Sequence, residues 1–318
     1  MKRHQTFFLL LFSFLSFFVN GQYYQPFVQG QSLPLYQNPS FAGTLVYPRF
    51  TIGSVMNGFT FPSPANLSRF YCSYDQYLPA IKSGIGFMYT SNPDIYVPIA
   101  AQRQQAEIFC SPKIQLKKKL TLSLGASIGF SGNVFSSKFV GYDSSFIYMN
   151  AGYNPTCTLQ NPISLSYSAG AILHSPTFYI GVSIRRFPTV SPQYFEVDSL
   201  KLNFIQTDKF VSTAQLAYVF RKRKSDRTSF SPSLLLQLYP LDNGGTQLRY
   251  QVNLNFKRNF FFWGTGISTT SLFAMIGFHG EKIRLAYAGS WVVERINPND
   301  PLRFCQEIVF SYTFIKRN

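Results

Sequence analysis

The sequence predicts an all-β fold, a transmembrane antiparallel β-barrel of about 14 strands with short periplasmic turns and long extracellular loops. Three observations lead there. The first is composition: 34 Phe and 20 Tyr stand in 318 residues, while charged residues make up only 13%. Water-soluble domains carry about a quarter charged residues, so this surface suits lipid better than water. The second is strict alternation of apolar residues with Ser, Gly, Thr, Asn and Gln, where a soluble sandwich would place Lys and Glu on the outer face. The third is an export-type N-terminus followed by no apolar run of the roughly 20 residues that a spanning helix needs. Only helices and closed barrels satisfy the backbone inside lipid, so a barrel in a bacterial outer membrane reconciles all three.

Residues Met1 to Gly21 read as a signal peptide. Lys2, Arg3 and His4 form a basic start, Phe7 to Val19 the apolar run, and Asn20-Gly21-Gln22 a small-residue exit. No Cys follows that exit, which argues against a lipoprotein. The formal charge is +16, and loss of Lys2 and Arg3 would leave +14. An exported chain rarely meets nucleic acid, so no nucleic-acid partner is expected.

The segment Gln22 to Gly43 has a different character. Pro26, Pro34 and Pro39 forbid a continuous helix, and no alternation survives across them. Its Tyr, Phe, Gln and Asn can pack and hydrogen-bond, so it is either a tether or an insert entering the barrel. Polar lumen faces would receive those side chains. The sharper expectation is a lumen plug, with Asn38-Pro39 turning the chain and Gly43 releasing it into the first strand.

The barrel is assigned to residues 44–318. Strand starts are expected near Thr44, Arg69, Ser83, Arg103, Lys119, Pro162, Phe178, Phe210, Phe230, Thr246, Phe260, Leu272, Lys282 and Leu302. Leu248, Tyr250, Val252, Leu254 and Phe256, for example, alternate with Arg249, Gln251, Asn253 and Asn255. Short connections fall near Ala80–Lys82, Gln115–Lys118, His174–Pro176, Lys257–Asn259 and Gly280–Glu281. Long ones fall at Gly58–Leu67, Ser91–Ala101, Ser131–Asn161, Phe187–Lys209 and Glu294–Pro301. Short turns are periplasmic in this class, which puts the N-terminal segment on the periplasmic side.

Basic residues then gather at periplasmic turns: Lys117, Lys118, Lys119, Arg221, Lys222, Arg223, Lys224, Lys257 and Arg258. They form either a solvated rim beside lipid headgroups or a docking ring that steers an acidic periplasmic partner. Asp75, Arg103, Glu107, Arg185, Arg249, Arg303 and Glu307 fall on lumen parity. They line a pore, or form a network that closes it.

Evidence for catalysis is thin. A lipid hydrolase needs a base beside a Ser nucleophile, and neither His174 nor His279 has a partner set legible in sequence. Cys72 and Cys110 take lipid parity, Cys305 lumen parity, and Cys157 lies in the longest loop. Strands two apart stand beyond disulfide reach, and no metal-ligand spacing occurs. No disulfide, metal, cofactor or enzymatic activity is expected.

Several stretches resemble one family. YQNPSFAGT (Tyr36 to Thr44) is similar to the "NPAFAG" signature of the PorP/SprF outer-membrane proteins of Bacteroidetes, with Tyr36, Asn38, Pro39, Phe41, Ala42 and Gly43 carrying the match. Ser73 to Tyr89, Ile163 to Phe187, Ser229 to Gln237, Phe273 to Ser290 and the aromatic C-terminus resemble its later blocks. The loops Ser131 to Asn161 and Phe187 to Lys209 do not. The resemblance implies a non-enzymatic barrel of the type IX secretion and gliding-motility system. Its partners would be a secreted or surface-displayed, adhesin-like cargo, periplasmic or peptidoglycan-linked secretion components, and outer-membrane lipid. The competing expectation is an outer-membrane channel for small or apolar solutes.

Overall fold

The computed structural model describes residues 33–45, 47–57, 69–96, 99–139, 163–194, 203–221, 228–240, 245–292 and 303–315. The signal Met1–Gly21, the start of the N-terminal segment through Ser32, Lys222, Arg223, Lys224, Cys157 and much of the long loops lie outside them. Fourteen antiparallel strands close into one barrel. They are β1 Arg49–Asn57, β2 Arg69–Leu78, β3 Ser83–Tyr96, β4 Ile99–Lys117 and β5 Leu120–Phe139. Next come β6 Ser164–His174, β7 Phe178–Tyr194, β8 Asn203–Tyr218 and β9 Thr228–Pro240. The remainder are β10 Thr246–Arg258, β11 Phe261–Ser268, β12 Ser271–His279, β13 Ile283–Val292 and β14 Arg303–Thr313. Each strand pairs with its neighbours in sequence, and β1 pairs with β14 to seal the wall. At that seam Thr51 and Ser311 lie opposite one another, and their hydroxyls hydrogen-bond at 3.0 Å.

Period 2 sorts the side chains. Ile108, Ile128, Phe130, Val182 and Ile276 point outward and are exposed, as a lipid-facing band requires. Thr51, Ser73, Ser127, Ser168, Gln251 and Asn253 point inward and are buried. Near the end of the wall where β10 turns into β11, Tyr218, Phe220, Phe230, Phe256 and Trp263 form a continuous aromatic row, with neighbouring centroids 4.4 to 5.9 Å apart. Such girdles mark a membrane interface, where an apolar ring meets the headgroups.

The ends of several strands differ from the expected ones. The loops placed at Ser91–Ala101 and Phe187–Lys209 are largely strand, because Tyr96 pairs with Ile99 and Tyr194 with Asn203. β5 likewise runs on to Phe139, inside the expected Ser131–Asn161 loop. An antiparallel hairpin can extend its ladder into water without leaving backbone groups unpaired. At 20 residues β5 spans ~65 Å, while a hydrocarbon core needs only about 9 to 11 tilted residues. By contrast β11 and β12 have 8 and 9 residues and meet in a tight turn at Thr269–Thr270. The wall is therefore tall at β4, β5, β7 and β8 and low around β11 and β12. β1 starts at Arg49 rather than Thr44, since Thr44 still belongs to a turn whose amide donates to the Phe41 carbonyl.

The lumen is less polar than the alternation implied. Tyr71, Met88, Phe109, Phe262, Phe273, Met275 and Val309 take inward positions and form an apolar patch with Leu33, Leu35 and Ala42 of the N-terminal segment. That patch is the core of the molecule, and it lies inside the barrel.

Candidate functional site: lumen insert and periplasmic mouth

Residues 33–45 lie within the barrel. Helix α1, Pro34–Gln37, is a single turn started by proline, and a 3₁₀ turn follows at Pro39–Phe41. Asn38 sits between them in extended conformation and joins both to the wall. Its Oδ1 accepts from the Ser40 amide at 2.9 Å, capping the 3₁₀ turn, and its Nδ2 donates to the Val182 carbonyl on β7 at 3.0 Å. Asn38 and Ser40 are fully buried, so each of these bonds replaces lost water.

Other strands hold the segment in turn. Ser111 Oγ and Lys113 Nζ on β4 both donate to the Ser40 carbonyl at 3.1 Å. Ser183 Oγ on β7 donates to the Gln37 carbonyl at 2.9 Å. Asp75 on β2 accepts from the Gly43 amide at 3.0 Å through one oxygen and from Arg49 Nε at 2.8 Å through the other. Phe41 packs edge-on against Tyr179, and Tyr36 against Tyr71. Leu33 and Leu35 are fully buried, which contributes about 2 kcal/mol each.

The wall is carved to admit this backbone. A Cβ at Gly84 on β3 would lie 1.9 Å from the Ala42 carbonyl oxygen, and one at Gly125 on β5 would lie 2.2 Å from the Ser40 nitrogen. At Gly170 on β6 it would meet Asn38 Oδ1 at 2.4 Å. Gly43 itself has φ +61°, a conformation that favours glycine. Three lumen-facing glycines on three strands thus form a socket for Asn38 to Ala42.

Of the lumen charges read from the sequence, the structure brings two together beside the insert. Arg185 on β7 donates to the Leu35 carbonyl at 3.2 Å, lies 3.5 Å from Glu107 on β4, and stacks over the Tyr36 ring. Glu107 also accepts from Gln105 and from Ser127. Asp75 belongs to the Gly43 clamp. Arg249 on β10 instead stacks on Tyr239, 4.5 Å from its centroid, and binds Gln247. Arg103 and Glu307 are buried. Arg303 begins β14, and its side chain lies outside the described residues. Sequence reading missed Arg49, which pairs with the Asp75 that holds Gly43, Lys113, which binds the insert, and Arg284, whose inward parity was legible.

Along the expected rim, Lys117 ends β4, Lys118 and Lys119 form the turn to β5, and Lys257 and Arg258 end β10. Arg221 follows β8 and is exposed. Ser123 and His174 are 3.2 Å apart, a pair the sequence did not reveal. Among the described residues, the charged neighbour of that His is Lys113. Cys72, Cys110 and Cys305 are free thiols. Among the described residues no cluster of three metal-ligating side chains occurs.

A closed antiparallel barrel with an apolar outer band and an aromatic interface row defines an outer-membrane β-barrel protein. The chain belongs to the PorP/SprF family, the type IX secretion system membrane proteins, whose family model matches residues 19–312. Among solved structures it is similar to the toluene transporter TodX of P. putida, with 11% identity, a TM-score of 0.50, and coverage of 88% of this chain and 93% of that one. A deltaS2S3 mutant of TodX, a monoaromatic hydrocarbon channel, gives 13% identity and the same TM-score and coverage. At such identity the likeness shows the fold alone. No curated protein matches the sequence.

Proposed function

We propose that this barrel is a non-enzymatic accessory of type IX secretion. It assists export or surface attachment of a secreted, adhesin-like protein and docks periplasmic components. In this reading the signal Met1–Gly21 directs export, and the segment Gln22–Gly43 serves as a lumen plug. The observation that carries it is the insert itself: Leu33 to Thr44 is keyed into the glycine socket and tied to β2, β4 and β7. A wall built around its own N-terminal segment suits a scaffold better than an open pore. The basic rim supports docking, because a positive mouth steers acidic partners.

Deleting the gene tests the role. One secreted or surface-displayed protein should then be retained, or released into the medium, and a plasmid copy should restore it. Unchanged export and display of every such cargo would overturn the proposal. Affinity purification from native outer membrane should recover both cargo and a periplasmic component. The competing reading, a channel for small or apolar solutes, requires that the intact protein conduct or support uptake of a solute; a silent intact protein in planar bilayers rejects the ion-conducting form.

A further inference from the structure

We propose that the periplasmic mouth holds an anion site that takes the carboxylates of an acidic peptide segment. It deepens the docking role above and rests on that reading for its orientation. Described residues at the ends of β8, β9, β10 and β12, with those of the β10–β11 and β12–β13 turns, build it. They enclose a cavity of about 380 Å³ lined by Arg221, Ser229, Lys257, Asn259, His279 and Glu281, among others. Arg284 lies alongside, since it is the register partner of His279 and packs its guanidinium 5.0 Å from the Phe262 ring centroid.

Charge in this cavity is lopsided. Arg221 and Arg284 both act on Lys257, while Arg284 and Lys257 both act on His279. Among the described residues Glu281 is the one carboxylate in the lining. Arg221, Lys257 and the adjoining Arg284 therefore face one described anion, a net of +2. The buried Nε of Arg284 has no hydrogen-bond partner among the described residues. Cations gathered this way repel one another unless an anion offsets them.

Geometry indicates which anion. Lys257 shares inward parity with Gln251 and Asn253, and Arg284 with Ala286 and Ala288, whereas Arg258 takes the lipid side. The cluster thus faces the mouth of the lumen and not the bilayer headgroups. Among the described residues the insert is hydrogen-bonded to β2, β4 and β7 and packs its 3₁₀ turn on β4 to β6, and none of its residues lines the cavity. In sequence, Asp226 and Glu281 are the acidic residues of the periplasmic connections, against Lys82, Lys118, Lys119, Arg221 to Lys224, Arg227 and Lys282. An acidic peptide complements both cavity and rim.

The test uses full-length protein in phosphatidylcholine nanodiscs and a fluorescein-labelled hexaglutamate peptide, followed by fluorescence anisotropy. Saturable binding should weaken as salt rises. The double variant R221Q/K257Q should lose about tenfold in affinity, as expected when two charge-assisted contacts go. K118Q/K119Q, which removes the same charge from the rim outside the cavity, should change it by less than about twofold. E281Q should bind more tightly. Equal losses in both double variants would reduce the effect to diffuse charge and overturn the site, as would absence of binding. Competition by phosphatidylglycerol nanodiscs at the same cavity residues would assign it to lipid headgroups and likewise overturn the proposal. Heat-modifiable migration on gels verifies that each variant is folded. No secretion readout enters, so failure here and failure of the secretion role are separate results.

Discussion

Asn38 shows how much one side chain can do in a lumen. Its amide has a donor and an acceptor end, and it uses one to cap the Pro39–Phe41 turn and the other to bind β7. Asp also caps well but has no donor for the Val182 carbonyl, so Asn is the residue that serves both. Replacing Asn38 with Ala should destabilise the folded barrel by about 1 to 3 kcal/mol, because the buried groups it serves lose their partners. A lower urea midpoint for loss of heat-modifiable migration measures this. The glycine socket gives a sharper expectation. Gly125→Val places side-chain atoms where the Ser40 backbone now lies, so the insert must leave while the strand itself can persist. Limited proteolysis should then cut within residues 33–45 of a still-folded barrel, and protection equal to wild type would contradict the socket.

At the scale of elements, the insert and the wall are mutually dependent. Helix α1 is one turn long and cannot persist alone, since isolated helices shorter than about 12 residues are marginal in water. Its stability comes from Leu33 and Leu35 inside the apolar patch and from carbonyls satisfied by Arg185 and Ser183. Removing Gln22 to Asn38 should open a conductance in planar bilayers or lower barrel stability. If neither changes, the segment is only a tether. Leu35→Ala should cost about 2 to 5 kcal/mol by emptying a filled site, read from the same unfolding midpoint. The uneven strands matter too. The long β3–β4, β4–β5 and β7–β8 ladders reach outward, where a large partner would meet them.

Across the whole molecule, charge and height are polarised along the barrel axis. Bases concentrate at the end that carries the Lys118–Lys119 and Asn259–Phe260 turns, and extended hairpins rise at the other. A molecule with two different faces suits bridging partners on both sides of the membrane. Binding of periplasmic components should therefore fall steeply with ionic strength, while surface cargo should be less sensitive, because exposed charges are screened within about 8 Å at physiological salt. Pull-downs across a salt series distinguish the two faces; equal salt sensitivity would argue against a division of labour.

What was legible in sequence was whatever obeys a local period. Alternation through Leu248 to Phe256, or Ile283 to Trp291, needs only the pleat of a strand, so strand number, facing and the lumen parity of Asp75, Glu107 and Arg185 followed from it. The NPSFAG stretch was recognisable because its proline and glycine interrupt that period. Length was harder to read: beyond the membrane the regular alternation lapses, so the outer ends of β5, β7 and β8 passed for loops. Only the closed barrel decided which residues share a depth. It set Gly84, Gly125 and Gly170 around the Asn38–Ala42 stretch, gathered Phe109, Phe262 and Met275 into an internal core, and brought Arg221, Lys257 and Arg284 from the ends of three strands to one mouth. Those meetings depend on strand register and on closure of β1 against β14, which are long-range properties that no local period encodes.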